Sequence, residues 1–220
     1  KMPRRLYLLR HGQTDNNVSN IIAGNSPNMP LNNIGLKQAT LTAKALSQAV
    51  FHKIYMSPAL RARQTAQRIF EHHTPTVFGE VKGNFKEINF GILEGLSFKR
   101  AEKSHNDLLR LYRETPSQCT FPKGESMAEA YNRITREMNG IFMERPHNEN
   151  VLIVSHGGTM ALIFLYLFDL DIDKHFHSIR HSNCGLSIID LENLDKLGVP
   201  QSKPRIICVN DIGHLKEKHY

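Results

Sequence analysis

Three short apolar runs in this chain end on residues with chemistry of their own. Leu6-Tyr7-Leu8-Leu9 stops on Arg10-His11-Gly12, with Gln13, Thr14 and Asn17 close behind. Lys53-Ile54-Tyr55-Met56 stops on Ser57-Pro58 and reaches Arg61, and Val151–Ser155 stops on His156-Gly157-Gly158. Two imidazoles and two guanidinium groups, ringed by amide and backbone donors, suit a dianionic oxyanion, because the planar fork of arginine matches such oxygens two at a time. Arg10 and Arg61 would clamp the nonbridging oxygens, Asn17 would add an amide donor, Gly12 would let the backbone approach closely, and the helix starts after Ser57 and after His156-Gly157-Gly158 would offer backbone amides. One imidazole, kept neutral by the nearby positive charge, can then attack at the central atom. The other can donate a hydrogen bond as negative charge develops. An acid is still needed for the leaving oxygen. Glu87 and Glu94, in the glycine-punctuated stretch from Phe85 to Gly95, are the candidates.

These residues act together only if the elements before them bring them together. The apolar runs are of strand length, and helical patterns lie between them. Helices are expected over Gly35–Val50, from Ser57 to about Phe70 with Ser57 as N-cap and Pro58 in its first turn, over Ser97–Arg113 in one or two pieces, from Ser126 to about Glu144, and over Met160–Phe168. Thr76–Phe78 and the stretch from Phe85 onward read as strand and loop, and Leu186–Asp190 and Arg205–Val209 as two further strands. Residues 18–34 form a long loop. Strands alternating with helices indicate an α/β three-layer sandwich with a mostly parallel central sheet flanked by helices. In such a sheet the C-terminal strand ends share one edge, so His11, Arg61 and His156 should converge in one crevice there.

Composition narrows the class. The chain has 220 residues, 40% hydrophobic and 22% charged, which suits one globular domain spanning 1–220. Met160–Phe168 is its longest strongly apolar stretch, far short of the roughly 20 residues a membrane span needs. No secretory leader is recognisable, and three cysteines without a CxxC pair argue against a disulfide framework. A cytoplasmic location is therefore the expectation. The net charge of +7 suits acidic small molecules, nucleic acid or an anionic surface equally. Aromatic residues are only 8% and show no stripe interleaved with basic ones, which disfavours a nucleic-acid binder. His175, His177 and His181 cluster in sequence, but no cysteine or acidic residue stands at metal-ligand spacing from them. Cys184 and Cys208 read as inert core thiols. Lys99, Arg100, Lys103, Arg110 and Arg113 read as a solvated helical face, with a rim for acidic substrates as the alternative.

Taken in order, these segments resemble the histidine phosphatase superfamily, also called phosphoglycerate-mutase-like. Arg10-His11-Gly12-Gln13-Thr14 with Asn17 is similar to the family signature, Ser57–Ala66 to its second motif, Lys86-Glu87-Ile88-Asn89-Phe90-Gly91 with Glu94-Gly95 to its acid-bearing loop, and Ser155-His156-Gly157-Gly158 to its last catalytic motif. Gly124-Glu125-Ser126 with Arg133, and Asn210-Asp211 with His214-Leu215, are further similarities. The resemblance implies His11 as phosphorylated nucleophile, Glu87 as proton donor, and Arg10, Arg61 and His156 around the phosphoryl group. It implies a small phosphorylated substrate and no cofactor, metal, nucleic-acid or membrane partner; oligomeric state is left open. Residues 24–31 are one longer than the family pattern, and Leu93 stands where many phosphatase members have Trp. The leading expectation is a metal-independent phosphomonoester hydrolase. The alternatives are a mutase that returns the phosphoryl group to a sugar acid, and a non-catalytic basic binding module. Mutases of the family carry a long insertion before Gly124; residues 96–123 are the shorter phosphatase pattern.

Overall fold

The computed structural model describes residues 4–73, 77, 79–144, 149–191 and 204–216. In chain order its elements are β1 (Arg4–Arg10), α1 (Asp15–Val18), α2 (Asn33–Ala45), β2 (Lys53–Met56), α3 (Leu60–Glu71), β3 (Gly79–Val81), α4 (Phe98–Ser104), α5 (Asn106–Glu114), α6 (Met127–Glu144), β4 (Val151–Ser155), α7 (Gly157–Phe168), α8 (Ile172–His175), β5 (Leu186–Leu191) and β6 (Arg205–Asp211). The six strands form one sheet in the order β3-β2-β4-β1-β5-β6. β3, β2, β4 and β1 run parallel, and β5 and β6 are antiparallel additions at the β1 side.

Strand alternation sends successive side chains to opposite faces. Leu6 and Leu8 of β1 pack with Ile153 of β4 against α6 and α7, through Ile134, Met138, Met160 and Phe164. Tyr7 and Leu9 pack with Leu152 and Val154 against α2 and α3, through Ala39, Ala43, Ala62 and Ala66. The sheet is thus the middle of three layers. β4, covered on both faces, is buried at every position, which explains its unbroken apolar run. The small residues of α2 and α3 let those helices lie close to the sheet and to each other.

Several expected boundaries move. α2 begins at Asn33 because Asn32 caps it, accepting from the Gly35 amide at 2.9 Å, and it ends at Ala45 rather than Val50. α3 begins at Leu60 with Ala59 in the cap position, so Ser57 is not its cap. The acid-bearing stretch holds no strand; it contains two single 3₁₀ turns, Gly83–Phe85 and Gly91–Leu93. A third parallel strand lies just before it at Gly79–Val81, while the expected strand residues Thr76 and Phe78 lie outside the described residues. Cys208 is half-buried on edge strand β6 rather than in the core, whereas Cys119 and Cys184 are buried. Among the described residues, no helix is long and apolar enough to cross a membrane.

One close approach fixes the geometry behind β1. A methyl group on Gly35 would come within 2.1 Å of the Gln13 carbonyl oxygen, and one on Gly12 within 2.6 Å of the Gly35 carbonyl oxygen. The loop after β1 and the first turn of α2 therefore touch backbone to backbone. Gly35→Ala is expected to lower stability by about 1–3 kcal/mol or more, since backbone cannot yield as a flexible side chain can. Urea unfolding against the unsubstituted chain measures it; an unchanged midpoint would mean that the contact is dispensable.

Candidate active site

The parallel strands leave their C-terminal ends on one edge, and the sheet ladder continues a step beyond them. The His11 amide donates to Ser155 O at 2.9 Å and the Ser57 amide to Val154 O at 3.0 Å. Along this edge lies a cavity of about 220 Å³ whose polar lining includes Arg10, His11, Asn17, Arg61, Glu87 and His156. The crevice expected from the strand ends is therefore present, with the imidazole centroids of His11 and His156 5.1 Å apart.

Each polar side chain is oriented from behind. His11 places Nδ1 2.7 Å from the Gly12 carbonyl oxygen, which can only accept, so Nδ1 carries the proton and the Nε2 lone pair is left free. Burial, then the charges of Arg10 and Arg61, hold His11 well below the ordinary imidazole range. His156 bonds through Nε2 to the buried hydroxyl of Ser57 at 2.7 Å. That hydroxyl is fully buried and has no other acceptor among the described residues, so its proton goes to Nε2 and the N–H of His156 is left at Nδ1. His156 is likewise driven well below its ordinary range, by burial first and then by Arg61, His11 and Arg10. Arg61, 1% exposed, spends its terminal nitrogens on Ser26 O at 2.6 Å and Gly24 O at 2.9 Å. Arg10 spends one on His181 O at 2.6 Å. Asn17 receives three donors on Oδ1, from the Thr14 amide and hydroxyl and from Asn183 Nδ2, so its own NH₂ is the unengaged end.

Arg10 Nε, Arg61 Nε and His156 Nδ1 are buried without a hydrogen-bond partner among the described residues. Unpartnered buried donors cost about 1–3 kcal/mol each and rarely persist without a ligand to meet them. Three such donors on residues lining one cavity form a cradle suited to an anion.

Glu87 enters from the loop after β3. Its Oε1 accepts from the amides of Ile88 (2.9 Å) and Thr159 (3.0 Å), and its Oε2 from the Gly158 amide (3.1 Å), while the Thr159 hydroxyl gives its proton to the Lys86 carbonyl at 2.8 Å. The first turn of α7, expected to offer its amides to an oxyanion directly, thus gives two of them to Glu87. Only Gly158 tolerates this approach, since a methyl there would lie 2.7 Å from Glu87 Oε1. The start of α3 is also committed, the Leu60 amide donating to Pro27 O at 2.8 Å. Arg133, 5% exposed, fixes the loop from below, with Glu125 as its bidentate partner at 2.8 and 2.9 Å and the carbonyls of Asn84, Lys86 and Glu87 as its other acceptors.

The other candidates fall elsewhere. Gly12 stands behind the cavity, its amide given to Thr65 at 3.0 Å. Gly157 lines it, against the Arg10 guanidinium. Glu94 is no part of the lining; its carboxylate accepts from the Asn25 and Phe90 amides, both at 3.0 Å, and ties two loops together. Lys99, Arg100, Lys103, Arg110 and Arg113 are exposed to solvent, and α4 and α5 give the cavity Phe98, Leu109 and Tyr112 instead. The three clustered histidines diverge, with His175 bonded to Asp171 O, His177 to Tyr112 O and His181 buried. Among the described residues no three His, Cys, Asp or Glu side chains are placed to hold a metal ion. Sequence reasoning missed Ser57 as the partner of His156, Thr159 as the seat of Glu87, and Asn183, which bonds both Asn17 and His11 O. Ser57 and Thr159 flank catalytic-looking motifs and were findable; Asn183 has no local signal.

The buried neutral histidines have a thermodynamic consequence. His11, His156 and His181 are all depressed, His181 to about 4, while in the unfolded chain each regains an ordinary value near 6.5. Below pH 6.5 the unfolded state therefore binds more protons, and stability falls with pH until the folded values are reached. The expected slope is about 1.4 kcal/mol per pH unit for each histidine titrating only when unfolded. Urea unfolding at pH 7 and pH 5 tests the sign, and equal stability at both would contradict the burial of these rings.

The scaffold is a three-layer α/β fold whose candidate site gathers two histidines and two arginines at the strand ends. The sequence model of the histidine phosphatase superfamily (branch 1) matches residues 6–197, and the chain belongs to that family. It is 31% identical over 188 residues to phosphoserine phosphatase 1 of Hydrogenobacter thermophilus, covering 86% of this chain and 87% of that one. It is 28% identical over 189 residues to a probable phosphoglycerate mutase of Proteus mirabilis, covering 86% of each. Among solved structures, a phosphoserine phosphatase of Entamoeba histolytica in complex with 3-phosphoglyceric acid superposes with a TM-score of 0.77 at 24% identity, over 97% of this chain and all of the other.

Proposed function

We propose that this chain is a metal-independent phosphomonoester hydrolase that works through a phosphohistidine at His11 on a small phosphorylated metabolite, as one domain. The observation that carries the reading is the set of three unpartnered buried donors beside the free Nε2 of a neutral His11. Arg10, Arg61, Asn17 and His156 hold the nonbridging oxygens and stabilise the charge that develops on them. His11 Nε2 attacks phosphorus, and Glu87 protonates the departing alkoxide. The same carboxylate then takes a proton from the water that attacks the phosphohistidine. The names of the phosphoserine phosphatase relatives support hydrolysis of a small phosphate ester. The mutase reading is less favoured, because beyond the cradle the first cavity is walled by apolar side chains such as Ile21, Ile22, Leu93 and Leu109 rather than by cations for a sugar-acid carboxylate.

Phosphate release from p-nitrophenyl phosphate and a panel of phosphate monoesters, before and after prolonged chelation, tests the reading. Turnover is expected to survive chelation, since arginines and imidazoles supply the positive field a metal would otherwise give. Loss restored by one divalent ion, or no turnover of any ester, would overturn it. Arg61→Lys is expected to lower kcat/KM by about tenfold or more. A point charge cannot bond two loop carbonyls and an oxyanion at once, and a charge-assisted hydrogen bond contributes about 1.5–3 kcal/mol. Near-unchanged kinetics would place Arg61 outside phosphoryl binding.

A further inference from the structure

The first cavity does not end at the cradle. Past Arg10 and Phe98 it adjoins a second chamber of about 390 Å³, and Arg10, Phe98, Tyr112, Gly157 and Gly158 line both. The polar group on the inner wall of this chamber is His181. It is 5% exposed, its ring packs on Phe164 at 5.5 Å, and neither ring nitrogen has a hydrogen-bond partner among the described residues. An imidazole buried with both nitrogens unpaired is costly, and here it lines a space large enough for a ligand. Burial and the neighbouring Arg10 push its pKa down to about 4, so near neutrality it carries one donor and one acceptor, on different sides of the ring. Either nitrogen can pair with a single hydroxyl, amide or ring-nitrogen atom of a ligand, and the neutral ring carries no charge for a second anion. Arg180 also lines the chamber but is exposed, where its charge is screened. Between the two chambers the shared aromatic rings of Phe98 and Tyr112 favour a flat apolar body.

Resting on the hydrolase reading above, we propose that the second chamber is the leaving-group subsite. Its ligand is a monophosphate ester whose alcohol carries a ring, with its faces against Phe98 and Tyr112 and an uncharged hydrogen-bonding atom on His181. His181 is then a specificity-determining residue, and esters with a second phosphate or a carboxylate lie outside the class.

The test compares kcat/KM for 5′-nucleoside monophosphates, as ring-bearing probes with uncharged hydrogen-bonding atoms on the ring, with p-nitrophenyl phosphate, fructose 1,6-bisphosphate and 3-phosphoglycerate. The unsubstituted chain is expected to prefer at least one nucleoside monophosphate over the bisphosphate and the phosphoglycerate by about tenfold or more, the scale of one buried hydrogen bond. His181→Phe keeps the ring volume and removes both nitrogens. It should raise KM for that nucleotide about tenfold more than for p-nitrophenyl phosphate, and His181→Gln, which restores one donor and one acceptor, should recover part of the difference. A bisphosphate or phosphoglycerate turned over as well as the nucleotides would overturn the subsite, as would equal losses on both probes in His181→Phe. The ranking by the unsubstituted chain decides even if the variants fold poorly. Absence of all turnover, p-nitrophenyl phosphate included, would instead overturn the hydrolase reading itself.

Discussion

Replacing His11 with alanine is expected to abolish turnover, by roughly 10⁴-fold or more, the scale on which loss of a covalent nucleophile acts. It should also abolish a base-stable, acid-labile phosphoryl label on the protein. Both losses follow from one geometric fact. Nδ1 is occupied by the Gly12 carbonyl at 2.7 Å, so Nε2 is the lone pair presented to the cavity. His156 cannot take over, because its Nε2 is engaged by Ser57 at 2.7 Å and its Nδ1 carries the proton. Rapid quench with ³²P-labelled substrate, followed by acid and base treatment, reads the label. A His11→Ala chain that still labels at histidine would move the nucleophile elsewhere, and one that turns over its best substrate at near the unsubstituted rate would remove covalent catalysis from the reading.

The second large effect is expected at Glu87 and depends on the leaving group. An alkoxide is a very poor leaving group and needs a proton in the transition state, whereas nitrophenolate leaves without one. General acid catalysis contributes roughly 10²–10⁴-fold, so Glu87→Gln should lose that much on alkyl phosphates and far less in the first step on p-nitrophenyl phosphate. Two of the three amide donors on this carboxylate meet Oε1 and only the Gly158 amide meets Oε2, which makes Oε2 the oxygen with room for the proton. Because the acid later activates water, the variant should release a burst of nitrophenolate and then turn over slowly. Glu94→Gln should show no such selectivity, since Glu94 holds the Asn25 and Phe90 amides rather than facing the cavity. Single-turnover kinetics on both substrates separate the cases; equal losses on the two leaving groups would remove Glu87 from the acid role.

Much of this site was written in local sequence, for a physical reason. A buried strand that halts on charged or imidazole-bearing residues is visible without any tertiary information, because apolar runs and their terminators are local properties. Parallel alternation of strands and helices then forces those ends to one edge. Arg10, His11, Arg61 and His156 could therefore be named, and their convergence expected, before any coordinates. The third parallel strand was harder to place, because β3 is only three residues long and its central residue, Glu80, is polar and paired with Lys53 and Lys82. Its register comes from pairing with β2, which no window of the sequence encodes.

What the sequence determined was which groups are available and on which edge they lie. Tertiary structure decided what each is free to do. The choice between Glu87 and Glu94 rested on which carboxylate meets the start of α7 and which is consumed by loop amides, a matter of contacts spanning 71 residues in one case and 69 in the other. The tautomers of both imidazoles were set by one carbonyl and one hydroxyl, the latter 99 residues from the ring it orients. The basic residues of α4 and α5 read as a solvated face, with a substrate rim as the alternative. The packing of these helices turned Leu109 and Tyr112 inward, left Phe98 half-exposed at the cavity rim and turned the charges out, because burying unpaired charge costs far more than exposing it. Hydrogen-bond partners distant in sequence carry no local signature, and so the groups of this site were legible in the chain while their protonation, orientation and division of labour were decided only by the fold.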